Sequence, residues 1–476
     1  MPLFKCVNCS QKLDSDALDP TCRRCGSVLV LSDRGTPSLK REFLDRLPSG
    51  VWRYRAFLPS PRGGDLVTLG EGGTPLLRAA RLGTELDFDH LLIKDESRNP
   101  TGSFMDRGST VLVSLAKERG VKACSCVTTG NLGASLAAYC AKAGIGAEIR
   151  IRPTTDRGKL YQMIAYGACI ETSWNPAKRG GSDDLSISVT AGNPYILEGE
   201  KTTCFEIVQD LGWKTPDVIL VPVGTGGHLS MFWRAIQQLK GSGLIDKSGC
   251  RLVGVQFSGS ALLAGGQRRA KSPGPVEEPF TELEESEPIL RSEAVRAMKE
   301  SGGRWVETTA RETIDATGLL ARTEGIFAEP AAASVIASLQ TARSRGLIDA
   351  DETIVCVITG AGLKDTKAIS RIAKATKQVV VNEDYPVARL QIGETKLQLL
   401  RSLASRPRFG YELWKGLSSG RTITTASVYQ HLGELEGLAL VRKSGVATVR
   451  GRERVFYELT RKGSDLLKMA GRIQES

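Results

Sequence analysis

Asn99-Pro100-Thr101-Gly102-Ser103-Phe104-Met105-Asp106-Arg107-Gly108 is the stretch on which the reading of this chain turns. Pro100 and Gly102 mark a turn and Ser109 to Arg119 has helical spacing, so the decapeptide reads as a loop entering a helix. Two more loops share that setting. Thr128-Thr129-Gly130-Asn131 follows the apolar run Ala123 to Thr128 and opens a helix, Leu132 to Ala143. Val223-Gly224-Thr225-Gly226-Gly227-His228 follows Val218 to Val223 and opens another, so its amide groups and the helix dipole form a cradle for an anion. A glycine-rich turn alone discriminates little, because strand-to-helix reversals need glycine for backbone reasons.

Outward from these loops, from about Leu91 to Ile369, short apolar strands alternate with amphipathic helical stretches; Leu252 to Phe257 and Thr353 to Thr359 are two more of the strands. That alternation predicts a parallel α/β body. Lys271 to Pro288, rich in Pro and Glu, interrupts the rhythm and reads as a loop or flap. With 476 residues, 41% hydrophobic and 25% charged, the chain has globular composition, which excludes wholesale disorder. It has no apolar run near the roughly 20 residues of a membrane helix, and the N-terminal MPLFKCVNCS lacks the apolar core of a signal peptide. A cytoplasmic protein with no membrane partner is expected.

Four of the eleven cysteines form two Cys-x-x-Cys pairs, Cys6/Cys9 and Cys22/Cys25, with 12 residues between the pairs. One such pair arises by chance or as a redox couple; two at this spacing predict a ribbon over 1–33 that holds a structural Zn²⁺ with four thiolates and no open position.

Together with Leu197-Glu198-Gly199-Glu200-Lys201-Thr202 and Thr359-Gly360-Ala361-Gly362-Leu363-Lys364-Asp365, the three loops resemble threonine synthase, a fold-type-II pyridoxal-phosphate (PLP) enzyme of the tryptophan synthase beta-like fold. The resemblance covers roughly Gly70 to Ile369, within a body placed at 34–385, and many relatives carry an N-terminal zinc ribbon. It implies that Gly224, Thr225, Gly226, Gly227 and His228 hold the PLP phosphate, that Asn131 bonds the ring hydroxyl and that Thr359 faces the pyridine nitrogen. The plainer reading is that these residues only shape turns and strand ends.

The family's reactive lysine stands between the positions of Phe104 and Asp106, where this chain has Met105. A thioether has nearly the reach of a lysine stem but no amine, so it forms no Schiff base and moves no proton. PLP, if bound, is then held non-covalently. Two smaller departures accompany this one: Leu132 follows Asn131 where relatives place a small hydroxyl residue, and Glu282 to Leu290 lacks the small apolar sequence that relatives pack over the site. Met105 as a plain core methionine fits all three departures. No other lysine takes the role by motif, although Lys94 lies near in sequence.

Beyond a boundary at Asn382 to Pro386 the chain turns basic: Ala388 to Ser476 carries 16 Lys/Arg against 8 Asp/Glu, hence +8 of the net +11. Lys396 to Ala404, a helix opened by Phe409-Gly410-Tyr411-Glu412-Leu413, a helix Ala426 to Gly437 capped by Thr424 or Thr425, and alternating strands Leu438 to Lys443 and Val455 to Leu459 spell a winged helix-turn-helix over 388–476. Gly445 to Arg454 is expected as the loop joining the strands. Tyr411-Glu412-Leu413, Ser427-Val428-Tyr429 and Leu435-Glu436-Gly437-Leu438 resemble PadR-type transcriptional regulators. By that family's geometry, Thr425, Ser427, Tyr429, Gln430 and His431 meet the major groove of double-stranded DNA and its backbone, while Arg442, Lys443, Arg450, Arg452 and Arg454 place cations on the wing. Arginines on a hairpin are also an ordinary solvated face, and winged helices serve as dimerisation modules too.

The readings combine into a homodimeric regulator with lost or impaired catalysis, whose body senses PLP, an amino acid or a phosphorylated amino acid. The alternative is an active PLP-dependent lyase converting O-phosphohomoserine to threonine, with an autoregulatory DNA-binding tail. A third reading is an interaction scaffold that binds neither cofactor nor DNA.

Overall fold

The computed structural model describes residues 3–32, 37–128, 130–151, 155–172, 185–246, 249–258, 288–366, 394–418, 423–449 and 452–472. Two compact units emerge, 1–377 and 378–476.

The larger unit is built on two sheets. Val218–Pro222 and Thr353–Ile358 are buried on both faces almost throughout, the pattern of strands at the centre of a parallel sheet covered by helices on each side. They do lie at its centre: the six-stranded order is Arg304–Thr308, Arg251–Phe257, Val218–Pro222, Thr353–Ile358, His90–Asp95, Leu76–Arg78. Every pairing is parallel except that of the edge strand Leu76–Arg78. A second sheet, all parallel, runs Cys169–Glu171, Gly146–Ile151, Ala123–Thr128, Ser186–Val189. Helices Asn131–Ala143 and Gly227–Gly241 leave their strands as expected, and Met105–Glu118 begins four residues before the Ser109 read from the sequence. Because the strands are parallel, their carboxyl ends gather on one side, which brings together the three loops and Thr359; in open parallel sheets that edge is the place for ligands. Most of the Lys271 to Pro288 flap and the Asn382 to Pro386 boundary lie outside the described residues.

The N-terminal ribbon is a three-stranded sheet, Lys12–Asp14, Leu3–Cys6, Leu29–Leu31. Phe4, Leu18 and Leu29 are buried in the same apolar cluster as Val111, Leu112 and Tyr195, so ribbon and body share a core.

In the smaller unit, helices Glu394–Leu403, Gly410–Ser418 and Thr425–Gly437 precede a hairpin, Val441–Val449 with Arg452–Leu459, and a last helix, Arg461–Arg472. Arg408–Phe409 adds a third strand to the hairpin. Val428, Leu432 and Leu435, spaced along one face of their helix, are buried with Leu400, Leu413 and Tyr457. Thr424 is the N-cap, its hydroxyl accepting from the Ser427 amide at 3.2 Å. The expected Gly445 to Arg454 loop is corrected: pairing continues to Val449 and resumes at Arg452, with a register shift between Lys443 and Gly445. Gly445 marks a bulge within the strand rather than its end.

Candidate functional site

The loop around Met105 is held from beneath. Arg107, fully buried, bonds Glu96 through Nε at 2.6 Å and Glu206 through Nη2 at 2.7 Å. Asp106 closes the preceding turn, accepting from the Thr101 amide and hydroxyl, both at 2.7 Å. The Phe104 amide donates to the Thr359 carbonyl at 3.1 Å, tying the loop to the end of the central strand. Met105 is thereby fixed as the first residue of its helix, half-buried, on the wall of a cavity of about 300 Å³.

Asn131, Gly224, Thr225, Gly226, His228 and Thr359 line this same cavity. Gly227 does not; it backs onto the apolar interior, where an added Cβ would come within 2.7 Å of Leu197 Cδ2. The amides of Gly224, Thr225 and Gly226 have no protein acceptor among the described residues, so the start of helix Gly227–Gly241 presents free donors to the cavity. His228 is stacked on Phe104, ring centroids 4.2 Å apart, and its Nε2 lies 3.4 Å from the Thr203 hydroxyl. Burial, only partly offset by Glu96, lowers its pKa to about 3, so the ring is neutral; its buried Nδ1 has no partner among the described residues. Asn131 Nδ2 donates to Glu329 Oε2 at 2.9 Å, leaving Asn131 Oδ1 a buried acceptor with no protein donor among the described residues. An amide cradle, a buried amide oxygen and a hydroxyl fit the phosphate and ring of PLP. Met105 does not fit its usual covalent anchor.

Lys94 is no substitute. Its buried ammonium is bound to the Thr74 carbonyl at 2.7 Å, Glu206 at 3.0 Å and Asp210 at 3.1 Å, and it is not part of the cavity wall. Leu132 is buried at the cavity wall, Ile289 lines it while remaining exposed, and the Leu290 amide donates to the Thr225 carbonyl at 2.9 Å. The end of the 282–290 stretch therefore does pack on the cradle; 282–287 lie outside the described residues.

Three groups went unassigned in the sequence. Glu329 meets Asn131 and, at 3.0 Å, the Nζ of Lys159, whose stem fills the space where a Cβ on Gly130 would sit. Pro330 at the first position of a helix marks the Glu329 junction, a visible signal without a stated purpose. Glu200, within the quoted Leu197 to Thr202 motif, reaches the cavity wall, and burial raises its pKa well above the ordinary carboxyl value.

At the N-terminus, the ligand atoms of Cys6, Cys9, Cys22 and Cys25 lie within 4.8 Å of one another. Cys6 and Cys25 sulfurs, and Cys9 and Cys22 sulfurs, are 3.5 Å apart, close to the roughly 3.8 Å that tetrahedral ligands at a zinc–sulfur bond length impose. The Cys9 amide points at Cys6 Sγ at 3.4 Å. Four soft donors with this spacing fit a structural Zn²⁺.

In the smaller unit, Tyr429 and Gln430 are exposed on helix Thr425–Gly437, while Thr425, Ser427 and His431 are half-buried. His431 lies 3.4 Å from Ser427 and 3.5 Å from Glu434, and Gln430 donates to Glu434 at 3.1 Å. Gly410 admits the Tyr429 ring, which a Cβ there would approach to 2.5 Å. On the hairpin, Arg442 pairs with Glu458 at 2.7 Å and Lys443 with Glu436 at 3.3 Å. Arg454 lies over the rings of Phe409 and Tyr411, 5.6 and 5.7 Å from their centroids. Arg450, and the side chain of Arg452, lie outside the described residues.

A parallel sheet with an anion cradle at its carboxyl edge defines the class, and comparison agrees: residues 67–360 match the pyridoxal-phosphate dependent enzyme family, to which the chain belongs. Within it the chain is a homologue of threonine synthase. It is 38% identical to threonine synthase of Methanocaldococcus jannaschii over 387 residues, 78% of this chain and 95% of that protein. Threonine synthase of Methanosarcina acetivorans is 35% identical over 399 residues, 80% of this chain and 96% of that protein. Two solved structures share the fold: a fungal L-serine ammonia-lyase from Rhizomucor miehei (TM-score 0.53, 20% identity, covering 65% of this chain and 99% of that one) and threonine deaminase isoform 2 from Solanum lycopersicum (TM-score 0.52, 18% identity, 70% and 96%). Residues 399–469 match the transcriptional regulator PadR-like family. Among the described residues, no helix is long and apolar enough to cross a membrane.

Proposed function

We propose that the chain is a ligand-responsive transcription regulator: the threonine-synthase-like body, its catalysis lost or impaired, binds a small molecule, and the PadR-like unit binds double-stranded DNA as a homodimer. The observation that carries this reading is Met105 on the wall of the same cavity that the unpartnered amides of Gly224, Thr225 and Gly226 line. PLP supplies an aldehyde that captures amines and a ring that draws electrons from the attached carbon. Gly224 to Gly226 would hold its phosphate, Asn131 would orient its ring and Thr359, a neutral hydroxyl, would leave its nitrogen without a charged partner. With a thioether at 105, no group at that position exchanges a proton with a bound amino acid.

The division into 1–33, 34–385 and 388–476 follows the same reading, with the first part stabilised by Zn²⁺ on Cys6, Cys9, Cys22 and Cys25. Thr425, Ser427, Tyr429, Gln430 and His431 would read the groove, and Arg442, Lys443, Arg450, Arg452 and Arg454 would add charge along the backbone. The ion pairs of Arg442 and Lys443 must open or rearrange for this.

The test is purification with PLP, a spectrum before and after borohydride, and binding to the protein's own promoter region with and without PLP, amino acids or O-phosphohomoserine. PLP that dialyses away after borohydride, together with a ligand-dependent change in DNA affinity, is the expected result. PLP fixed to a lysine with turnover of O-phosphohomoserine would replace this reading with that of an active lyase. No preference for the promoter over random duplex at physiological salt would remove the regulator.

A further inference from the structure

The polar groups of the cavity are out of balance. Two carboxyl side chains, Glu200 and Glu329, reach its wall, and among the described lining residues there is neither Lys nor Arg. Glu329 is compensated from behind by Lys159 at 3.0 Å and from the side by Asn131 Nδ2 at 2.9 Å. Glu200 is not. It is 2% exposed, and among the described residues no hydrogen bond or ion pair reaches its carboxyl; burial alone raises its pKa. Isolating a carboxyl in this way costs several kcal/mol when ionised, unless something entering the cavity offers it a donor.

The position of Glu200 is set by its helical neighbours. Leu197, one turn earlier, abuts Gly227, and Thr203, nearly one turn later, meets His228 at 3.4 Å. Gly199 packs so tightly on the Arg107 carbonyl that no Cβ would fit. Glu200 thus lies between the helix that Met105 begins and the helix that the Gly224 to Gly227 loop begins. A second acceptor points the same way. Asn131 Oδ1 is buried without a donor among the described residues, and its orientation is fixed because Glu329, a carboxylate, must take the Nδ2 side. Two uncompensated acceptors call for N–H donors, which an ammonium group supplies in threes. The free amides of Gly224, Thr225 and Gly226 call for an anion.

We propose that the cavity takes a ligand carrying a protonated primary amine as well as an anionic group, and that Glu200 receives the amine. Met105 supplies no amine from the chain, so the amine arrives with the ligand and leaves with it. This rests on the reading of the cavity as a ligand site and names the chemistry of what enters. Glu200 then sets specificity: a ligand with hydroxyl in place of ammonium leaves the carboxyl without its charge partner.

Pyridoxamine 5′-phosphate and pyridoxine 5′-phosphate are the probes, because they differ only in that ammonium and hydroxyl and neither has an aldehyde to react. Titration calorimetry on the full-length protein should show the amine bound at least about tenfold more tightly, the ratio that a charge-assisted hydrogen bond provides. Glu200→Gln, a neutral replacement of the same shape, should abolish the preference, chiefly by weakening pyridoxamine 5′-phosphate binding, in a protein that still melts cooperatively. Equal affinity of the two compounds for the native protein overturns the role of Glu200 while leaving the cavity a ligand site; so does a preference that survives in Glu200→Gln. If neither compound binds, the inference and the ligand-site reading fall together. The comparison of the two compounds on the unaltered protein needs no variant to fold.

Discussion

Replacing Arg107 with methionine should cost about 3–5 kcal/mol of stability at neutral pH, the usual loss when one partner of a buried ion pair is removed. Two carboxylates face Arg107, but the cost should not double. Glu206 keeps Lys94 at 3.0 Å, whereas Glu96 keeps only neutral donors, the Thr74 hydroxyl at 2.6 Å and Asn99 Nδ2 at 2.9 Å. The orphaned charge is therefore mainly that of Glu96, which is fully buried. In the native protein burial pushes the Glu96 and Glu206 carboxyls up, and the Arg107 charge pulls both below the ordinary value. Their stabilisation is thus present above the unfolded carboxyl pKa and is lost as pH falls through the lower folded pKa. In the variant the pull of Arg107 is gone and burial acts on Glu96 against only Lys94 and the two neutral donors, which raises its pKa, so its penalty is greatest at neutral pH and is relieved by protonation. The stability gap between the two proteins should already narrow between neutral pH and about pH 5, as the variant's raised Glu96 pKa is crossed on the way down to the unfolded carboxyl value. Urea unfolding at pH 7.5 and at pH 5 measures both numbers. A loss under about 1 kcal/mol, or a gap that ignores pH, would show that Arg107 does not carry the platform beneath Met105.

Restoring an amine with Met105→Lys should let borohydride fix PLP to residue 105, while turnover of O-phosphohomoserine stays at least about a hundredfold below that of a threonine synthase, because Leu132 and Ile289 still shape the wall; mass spectrometry and a phosphate-release assay read the two. Protein purified without chelators should carry about one Zn²⁺ per chain by elemental analysis, since four thiolates fill a tetrahedral site, and its removal should expose Cys6 and Cys22, now buried, to thiol reagents. Affinity of the chain for duplex DNA should fall steeply with salt, each phosphate contact contributing about −0.9 to the slope of log K against log salt. Gln430→Ala should mainly relax sequence preference, and Arg450, Arg452 and Arg454 replaced together should flatten the slope, both read by fluorescence anisotropy.

The parallel body was legible because its strands carry their burial in the sequence: Val218–Pro222 and Thr353–Ile358 are largely apolar runs followed by glycine loops, and a two-sided core demands that pattern. The cradle was legible for a similar reason, since Gly226 adopts φ 86° at the helix start, a backbone that favours glycine. What escaped was of another kind. Glu329 and Lys159 are 170 residues apart and meet only through the fold, and no local periodicity reports such a pair. Glu200 stood inside a quoted motif, yet its isolation depends on which groups fail to surround it. The wing was misread because Gly445 was taken for a turn, when a strand tolerates glycine at a bulge.

A body that binds a small molecule regulates a DNA-binding unit only if the ligand's affinity differs between the states that bind DNA well and poorly. That condition is reciprocal: if a ligand changes operator affinity by some factor, the operator must change ligand affinity by the same factor. A typical coupling of 1–3 kcal/mol would appear as about 5- to 150-fold in both measurements. The amine-receiving role of Glu200 makes the requirement sharp. Glu200→Gln removes the ligand's charge partner and alters no residue of the smaller unit, so operator affinity without ligand should be unchanged while the ligand's effect on it disappears at concentrations that saturate the native protein. Operator affinity lost in the absence of ligand would mean instead that Glu200 supports the fold. A ligand effect that persists would place the sensing elsewhere in the chain, because a group with no part in binding cannot carry the differential free energy.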